Sequence, residues 1–213
     1  MKEVKLICFD VDGTLVDGNS WLILAEGMGC SPQAAFNIFN QARREEISFV
    51  EAERILTKLY QDSGNANKYF IKNLFDNIVV KDEAKDLISY LKEKGFKIYL
   101  ISGAIDIYVE SVAKKLNVDG FYANSSLEFD NQEIVQKINY RNNQGEVKVE
   151  QLQDLIRKLG IDINQVVFVG DSENDIEIFK ATKHGVAVHS SNEKLKEISW
   201  KVVDSLRQVK TIL

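Results

Sequence analysis

Three polar segments of this chain each follow a short run of apolar residues. The segments are DVDGT at 10–14, SG at 102–103 and DSEND at 171–175, and the runs before them are VKLICF, FKIYLI and QVVFVG. Such runs, rich in β-branched residues, are typical of strands that are buried on both faces of a parallel sheet. Ligands of these sheets bind beyond the carboxyl ends of the strands. We therefore expect the three polar segments to meet in one crevice.

Four aspartates are expected to point into this crevice: Asp10, Asp12, Asp171 and Asp175. At a separation of about 4 Å and an effective dielectric constant of about 20, each pair of carboxylates repels by roughly 4 kcal/mol, so the cluster requires a cation. The ligands are oxygen atoms, with no His or Cys at matching positions, which favours the hard ion Mg²⁺ as cofactor. Because Mg²⁺ keeps coordination positions for water and substrate phosphate, the cluster also predicts a phosphate-bearing ligand.

Asp10 is the expected nucleophile, since a carboxyl group with an ordinary pKa of about 3.9 is ionised at neutral pH without an activating base. Asp12 is expected to protonate the leaving alcohol and then to deprotonate the attacking water, a role that requires a raised pKa. Ser102, Lys148 and the backbone N–H groups of residues 12–14 are expected to stabilise charge on the transferred phosphoryl group.

Two charge placements on the predicted helices are unfavourable unless a ligand is present. Lys148 is predicted to lie in the first turn of a helix over 147–159, where a cation opposes the helix dipole. Asp171 and Asp175 are predicted to lie four residues apart on one helical turn, where like charges repel. Both placements are explained if Lys148 binds a phosphate and the aspartates bind a metal.

Strand and helix patterns alternate along most of the chain, which predicts a Rossmann-like α/β fold with a doubly wound parallel sheet. An alternating segment at 124–145 predicts a β-hairpin that projects from the third strand. Strands are predicted at 4–9, 96–101, 120–123, 165–170 and 185–188, and helices at about 82–94, 104–117, 147–159 and 173–180.

Residues 18–79 interrupt this alternation, because four helical patterns follow one another there without a strand. The block comes directly after the first strand and its loop, so we interpret it as an inserted all-helical cap over the crevice. The expected domains are a core of residues 1–17 and 80–213 and a cap of residues 18–79. The cap helices are predicted at about 20–29, 32–44, 48–62 and 66–76.

The composition of the 213-residue chain argues against several classes of partner. A net charge of −5 provides no basic stripe for a nucleic-acid backbone. No apolar run approaches a transmembrane span, and the N-terminal residues do not resemble a signal peptide, so we expect no membrane partner and a cytoplasmic location. Cys8 and Cys30 imply no disulfide framework. The oligomeric state stays open.

The same motifs, in the same order, resemble the four signature motifs of the haloacid-dehalogenase-like (HAD) hydrolase superfamily. They are DVDGT at 10–14, ISG at 101–103, Lys148 and GDSEND at 170–175, and their spacing is similar to that of the phosphoserine phosphatase branch. The resemblance implies a Mg²⁺-dependent phosphomonoesterase that hydrolyses a small-molecule phosphate ester through an aspartyl-phosphate intermediate.

The resemblance also implies a role for each motif residue. Asp10 would be the nucleophile and Asp12 the general acid and base. Mg²⁺ would be held by Asp10, the carbonyl group of Asp12 and Asp171, with Asp175 in support. The phosphate would be held by residues from three motifs, namely Ser102, Gly103, Lys148 and Asn174.

Several other interpretations of the same residues stay open. A phosphomutase of the same superfamily would return the phosphoryl group to a sugar, and a catalytically silent scaffold would keep the motifs without turnover. A response-regulator receiver does not fit, because it lacks an inserted cap and carries its acceptor on the third strand, which here ends in Ala123-Asn124. Ser102 could simply cap a helix, and Lys148 could lie on the surface.

The cap is expected to set substrate specificity, because the core motifs contact only the phosphoryl group. Phosphoserine phosphatases generally carry a Glu seven positions after the second aspartate of the first motif, where it meets the substrate's amino group, and this chain has Asn19 there. We therefore expect phosphoserine to be at best a secondary substrate. Other cap residues that are candidates to contact the leaving group are Trp21, Phe49, Arg43, Arg44 and Arg54.

Overall fold

The structure is a computed structural model that describes residues 3–213. Its strands are β1 Leu6–Phe9, β2 Lys97–Ile105, β3 Gly120–Phe129, β4 Val135–Tyr140, β5 Val166–Gly170, β6 Gly185–Val188 and β7 Lys201–Val203. They form a seven-stranded sheet in the order β4-β3-β2-β1-β5-β6-β7. Every neighbouring pair is parallel except β3 and β4, which pair in antiparallel register.

Helices follow most of the parallel strands and cover both faces of the sheet. The burial of β1 shows why its sequence is uniformly apolar. Ile7 and Phe9 pack into the hydrophobic cluster on one face, whereas Leu6 and Cys8 pack into the cluster on the other. The predicted doubly wound α/β fold is confirmed. The helices of the core are α5 Asp82–Glu93, α6 Asp106–Leu116, α7 Gln144–Leu159, α8 Ile176–Thr182, α9 Glu193–Ile198 and α10 Leu206–Val209.

Four consecutive helices lie between β1 and α5, where the sequence predicted helical patterns. The side chains of Ser31, Ser48 and Asn67 accept hydrogen bonds from the first turns of the second, third and fourth of them, so each of these starts has a local N-cap. Leu24 and Phe75 belong to the hydrophobic cluster that also contains residues of the sheet, which joins these helices to the core. The helices are α1 Ser20–Gly27, α2 Pro32–Arg43, α3 Phe49–Asp62 and α4 Lys68–Asp76.

The hairpin of β3 and β4 holds the far side of this helical insertion. The N–H of Val135 donates to the carbonyl of Ala66 at 2.8 Å. The carboxylate of Glu53 in α3 accepts a hydrogen bond from the N–H of Tyr140 at 2.8 Å. The inserted helices therefore contact the core both at the sheet cluster and at the hairpin.

Several predicted boundaries are wrong, and two of them bear on the site. Strand β2 continues past Ser102 to Ile105, with a shift in its register on β3, so α6 starts at Asp106 and Ser102 caps no helix. Helix α7 starts at Gln144, which makes Lys148 its fifth residue rather than a first-turn residue. The sequence patterns also failed to reveal β7, α9 and α10, which are all short.

The segment after β5 differs from the single helix predicted at 173–180. A 3₁₀ turn at Glu173–Asp175 precedes α8, and Asp171 lies before both. Because Asp171 lies outside both elements, the two aspartates do not share one helical turn, and the side chain of Asp175 instead accepts a hydrogen bond from the N–H of Asp171. Within residues 3–213, no helix combines the length and the apolar composition needed to cross a bilayer.

Candidate active site

The loop after β1 is shaped so that Asp171 can approach it closely. The N–H of Asp10 donates to the carbonyl of Val169 at 2.9 Å, which continues the pairing of β1 with β5. Gly13 has a φ of +77°, and a Cβ atom there would collide with the carboxylate of Asp171. The hydroxyl of Thr14 donates to Oδ1 of Asp171 at 2.8 Å. Glycine is therefore required at position 13 both for the turn and for the contact.

Lys81 supports the same loop, and no sequence pattern indicated this role. Its ammonium donates to the carbonyls of Gly13 at 2.8 Å and Thr14 at 3.2 Å, and it lies 3.1 Å from the carboxylate of Asp17. A lysine ahead of an amphipathic helix is normally a surface residue. The contact arises because the chain returns to the loop of the first strand after the inserted helices.

Lys148 is completely buried and is surrounded by oxygen atoms. Its ammonium lies 2.6 Å from Oδ1 of Asp175 and 3.1 Å from Oδ1 of Asp10, and it donates to Oδ1 of Asn174 at 2.8 Å. Burial would lower the pKa of Lys148, but the charges of Asp10 and Asp175 outweigh it and raise that pKa above its ordinary value. The alternative that Lys148 lies on the surface is therefore wrong.

Asp10, Asp171 and Asp175 form an acidic cluster in which one oxygen of each lies within 4.8 Å of the others. Burial, followed by the charges of Asp10 and Asp175, raises the pKa of Asp171 to about 7. Burial also raises the pKa of Asp175, although Lys148 opposes it. Both oxygens of Asp175 already accept hydrogen bonds, from Lys148 and from the N–H groups of Asp171 and Ser172. Asp175 thus supports its neighbours, and Asp10 and Asp171 are better placed to meet a ligand.

This cluster fits a divalent metal ion. The donors are oxygen atoms of three carboxylates, and Lys148 offers only one positive charge to balance them. A hard cation with oxygen ligands would relieve that repulsion. The cluster contains three of the ligands expected from the sequence, namely Asp10, Asp171 and Asp175, and the contribution of the Asp12 carbonyl group stays a prediction.

Asp12 is held by the first inserted helix. The N–H and the hydroxyl of Ser20 both donate to Oδ2 of Asp12 at 3.0 Å. The other oxygen and the hydroxyl of Tyr108 lie near each other, and neither has a well-formed hydrogen bond within residues 3–213. Burial raises the pKa of Asp12 to about 6 against the opposing effect of Ser20. The raised pKa that a general acid at this position requires is therefore present.

The remaining predicted phosphate ligands lie together. Ser102 is buried, and its oxygen accepts a hydrogen bond from the N–H of Ala104 at 3.3 Å, so its own proton can be donated to a ligand. A Cβ atom on Gly103 would lie 3.5 Å from the amide nitrogen of Asn174. The side-chain oxygen of Asn174 is bound to Lys148, which leaves its NH₂ group for the cavity.

These groups line a cavity of about 830 Å³ between the sheet and the inserted helices. Lys148 and Asp175 lie beneath its surface, and the other predicted site residues of the core form part of its wall. The wall therefore brings together, from the ends of β1, β2 and β5, the residues that the sequence predicted as nucleophile, acid and phosphate ligands.

Only one of the three arginines that were candidates for substrate specificity lies at the cavity. Arg43 lines the cavity. Arg54 does not, because it lies on an exposed face of α3 and forms an ion pair with Glu51 at 2.7 Å. Arg44 likewise forms an exposed ion pair, with Glu46 at 2.8 Å. The structure thus brings Arg43 to the site and leaves Arg44 and Arg54 outside it.

Asn19 lies at the cavity but has a structural use. It is the N-cap of α1, and its side-chain oxygen accepts hydrogen bonds from the N–H groups of Trp21 at 3.0 Å and Leu22 at 3.4 Å. The side-chain oxygen of Asn19 is therefore already hydrogen-bonded, at the position where phosphoserine phosphatases generally carry a glutamate.

Aromatic residues occupy more of the cavity wall than the sequence indicated. Trp21 and Phe49 line it as expected, and Phe39 and Tyr140 join them. Tyr140 is the last residue of β4. The alternating pattern of this strand predicts which face of the sheet a side chain lies on, but it does not predict that the face borders a cavity.

Comparison with known proteins decides the family. A family model described as haloacid dehalogenase-like hydrolase matches residues 4–182. The chain belongs to this family. It is 32% identical over 190 residues to a phosphoserine phosphatase of Streptococcus thermophilus, covering 88% of this chain and 85% of that protein. It is 28% identical over 198 residues to a phosphoserine phosphatase of Archaeoglobus fulgidus, covering 93% of this chain but only 56% of that longer protein.

The fold of this HAD hydrolase agrees with those relationships. A solved phospho-aspartyl intermediate analogue of phosphoserine phosphatase matches it with a TM-score of 0.76 and 24% identity over the whole of both chains. The predicted family and its phosphoserine-phosphatase-like branch are confirmed, and the chain is a phosphatase of the HAD family.

Metal binding by this HAD hydrolase should release a proton near neutral pH. A divalent metal ion bound at Asp171 would displace the proton that this residue holds below a pKa of about 7, so the affinity for the metal should fall as the pH drops through that value. We expect the dissociation constant for Mg²⁺ to be about tenfold higher at pH 6 than at pH 8. Calorimetric titrations in two buffers of different ionisation enthalpy measure both quantities. Equal affinity at the two pH values would contradict the assignment of Asp171.

Replacement of Lys148 should damage both stability and turnover. Lys148→Met leaves Asp10 and Asp175 buried without their cation, which should lower the free energy of unfolding by about 3 kcal/mol. Loss of positive charge at the phosphoryl group should lower kcat roughly a hundredfold. Urea unfolding and phosphate release measure the two effects.

Lys158→Met, on the exposed face of the same helix, is the matched control for Lys148→Met. Its ammonium pairs with Asp154 at the surface, where an ion pair contributes little, so stability and turnover should stay close to those of the wild type. An unaffected Lys148→Met protein would refute the buried network.

Proposed function

We propose that this phosphatase is a Mg²⁺-dependent phosphomonoesterase that hydrolyses a small-molecule phosphate ester through an aspartyl-phosphate on Asp10. The observation that carries the proposal is the position of Asp10, which is 2% exposed as a residue and lies on the cavity wall with its carboxylate beside Lys148 and Asp171. Mg²⁺ rather than another divalent ion is proposed because the donors of the acidic cluster are oxygen atoms.

Proton transfer falls to Asp12 in this proposal. With a pKa of about 6, a fraction of Asp12 is protonated near neutral pH and can give its proton to the departing alcohol. The same carboxylate then takes a proton from the water that cleaves the aspartyl-phosphate. The N–H and hydroxyl of Ser20 hold one oxygen of Asp12, which fixes the orientation of its carboxyl group.

The remaining residues of the site bind the phosphoryl group. The Ser102 hydroxyl and the Asn174 NH₂ group can donate to its oxygens, and Gly103 presents no side chain between them. Lys148 supplies positive charge beside Asp10. A bound divalent metal would neutralise further charge on the phosphoryl oxygens.

The inserted helices have a separate part in this proposal. Residues 18–79 would be a cap domain on a core of 1–17 and 80–213, and the cap would keep bulk water from the phosphoryl group during transfer. The position of α1, α2 and α3 along the cavity supports this division.

Asp10→Asn tests the nucleophile. The amide is nearly isosteric but cannot attack phosphorus, so phosphate release should fall below about a hundredth of the wild-type rate while the protein stays folded. Phosphate release over a panel of phosphomonoesters and thermal melting are measured together. Asp86→Asn, an exposed change on α5, is the control and should be fully active.

One outcome would contradict the nucleophilic role of Asp10, and another would contradict hydrolysis as the reaction. A variant that retains more than about a hundredth of wild-type kcat would remove the nucleophilic role. Transfer of phosphate from the wild-type protein to an added sugar, without release to water, would identify a phosphomutase instead.

Metal exchange tests the cofactor. EDTA should abolish phosphate release and Mg²⁺ should restore it, whereas Ca²⁺ should inhibit. Ca²⁺ accepts more ligands and permits bidentate binding of a carboxylate, which would turn Asp10 away from its line of attack. Activity is measured after dialysis against chelator and addition of each ion. Full activity in EDTA would show that the acidic cluster functions without a metal.

A further inference from the structure

Four aromatic side chains form one cluster on the cavity wall, which we call the aromatic cluster. Trp21, Phe39 and Phe49 come from α1, α2 and α3, and Tyr140 comes from the end of β4. The Tyr140 ring is central, because its centroid lies 4.6 Å from that of Phe39, 5.7 Å from that of Phe49 and 6.2 Å from that of Trp21. All four side chains are half-buried and line the cavity, so the cluster offers an apolar surface to whatever enters.

The aromatic cluster lies one side chain away from the predicted phosphate ligands. The hydroxyl of Tyr140 faces the side chain of Gln144. The side-chain oxygen of Gln144 in turn lies against Gly103, so closely that a Cβ atom on that glycine would collide with it. A leaving group that extends from a phosphoryl group at Gly103 along Gln144 would therefore meet the aromatic cluster.

Charges of both signs lie near the aromatic cluster, so charge alone does not select the leaving group. Burial raises the pKa of the Tyr140 phenol and the charge of Arg43 opposes this, while the carboxylate of Glu53 accepts a hydrogen bond from the N–H of Tyr140 at 2.8 Å. Glu45 also lines the cavity but is exposed, which weakens any ion pair it could form with a bound ammonium. The side-chain oxygen of Asn19 is engaged by α1.

Resting on the phosphomonoesterase function above, we propose that the leaving group of the substrate carries a flat unsaturated ring that packs on Tyr140, Phe49 and Trp21. The substrate class is thus the phosphate monoester of a ring-bearing alcohol rather than of an aliphatic amino acid or choline. The P–O bond to the alcohol breaks as the bond from Asp10 to phosphorus forms, and the alcohol oxygen takes the proton of Asp12. Stacked and edge-to-face rings supply shape selectivity that an aliphatic chain cannot match.

Three alkyl phosphates with similarly basic leaving groups separate ring recognition from chemical reactivity. They are ethyl phosphate, 2-cyclohexylethyl phosphate and 2-phenylethyl phosphate. We expect kcat/KM for the phenyl ester to exceed that for the ethyl ester at least about tenfold and that for the cyclohexyl ester at least about threefold. Phenyl and ethyl esters within about twofold of each other, or a preference for O-phosphoserine or phosphocholine over the phenyl ester, would overturn the proposal.

Variants then locate the preference on the aromatic cluster. Phe49→Leu and, separately, Trp21→Leu should reduce the ratio of kcat/KM for the phenyl ester to that for the ethyl ester at least about fivefold. Tyr69→Leu is the control, since Tyr69 is 80% exposed on α4 and lies outside the cavity, and its ratio should equal that of the wild type. An unchanged ratio in both cluster variants would place ring recognition elsewhere and refute the proposal.

Binding without turnover keeps this inference distinct from the proposed function. The dissociation constants of 2-phenylethylphosphonate and ethylphosphonate, which cannot be hydrolysed, are measured by calorimetry with the wild-type protein in Mg²⁺. We expect the phenyl compound to bind at least about tenfold more tightly. If no ester releases phosphate but this difference is found, the phosphomonoesterase proposal fails and the ring subsite stands; equal binding of the two phosphonates refutes the subsite.

Discussion

The site depends on one ammonium group that is buried among carboxylates. The partners of Lys148 belong to Asp10, Asn174 and Asp175 and lie within 3.1 Å, so one lysine positions three side chains at once. The desolvation cost of burying the Lys148 ammonium is offset only because its carboxylate partners are in place. The cost of burying those carboxylates is offset by the lysine in the same way. One ammonium faces three carboxylates, because Asp171 lies within 4.8 Å of Asp10 and Asp175 in the same cluster. The excess negative charge favours a metal ion at the site and, through the metal, a phosphate.

Much of this arrangement could be predicted from the sequence, because strand order alone brings the acidic motifs together. Asp10 and Asp171 follow β1 and β5, which are neighbours in the sheet, so their meeting requires only that both runs are buried parallel strands. The surroundings of Lys148 depend on where α7 begins, and a loop of polar residues before it hides that start. Lys81 and Tyr140 lie at the site because segments that are distant in sequence contact each other. The local pattern of apolar and polar residues does not predict such contacts.

The β3–β4 hairpin explains how a core strand comes to shape the side of the cavity formed by the inserted helices. Hydrogen bonds join it to α3 and to the segment before α4, at Glu53 and Ala66. Its last residue, Tyr140, then stands among rings contributed by α1, α2 and α3. Because the hairpin and the helices share hydrogen bonds as well as ring contacts, a movement of the helices that kept these bonds would carry Tyr140 along.

The start of α1 would couple the proposed chemistry to the proposed recognition of the leaving group. Three consecutive residues there make different contacts. Asn19 caps the helix, Ser20 donates hydrogen bonds to the carboxylate of Asp12, and the ring of Trp21 lines the cavity. A charged residue at position 19 could bind a polar substrate, but the side-chain oxygen that now fixes the helix start would then be drawn toward that substrate. With Asn19 engaged as the N-cap, the orientation of Asp12 and the position of the Trp21 ring are set by the same turn of backbone. In the proposed reaction, a leaving group that packs on the ring would therefore meet a proton donor whose orientation is fixed by Ser20.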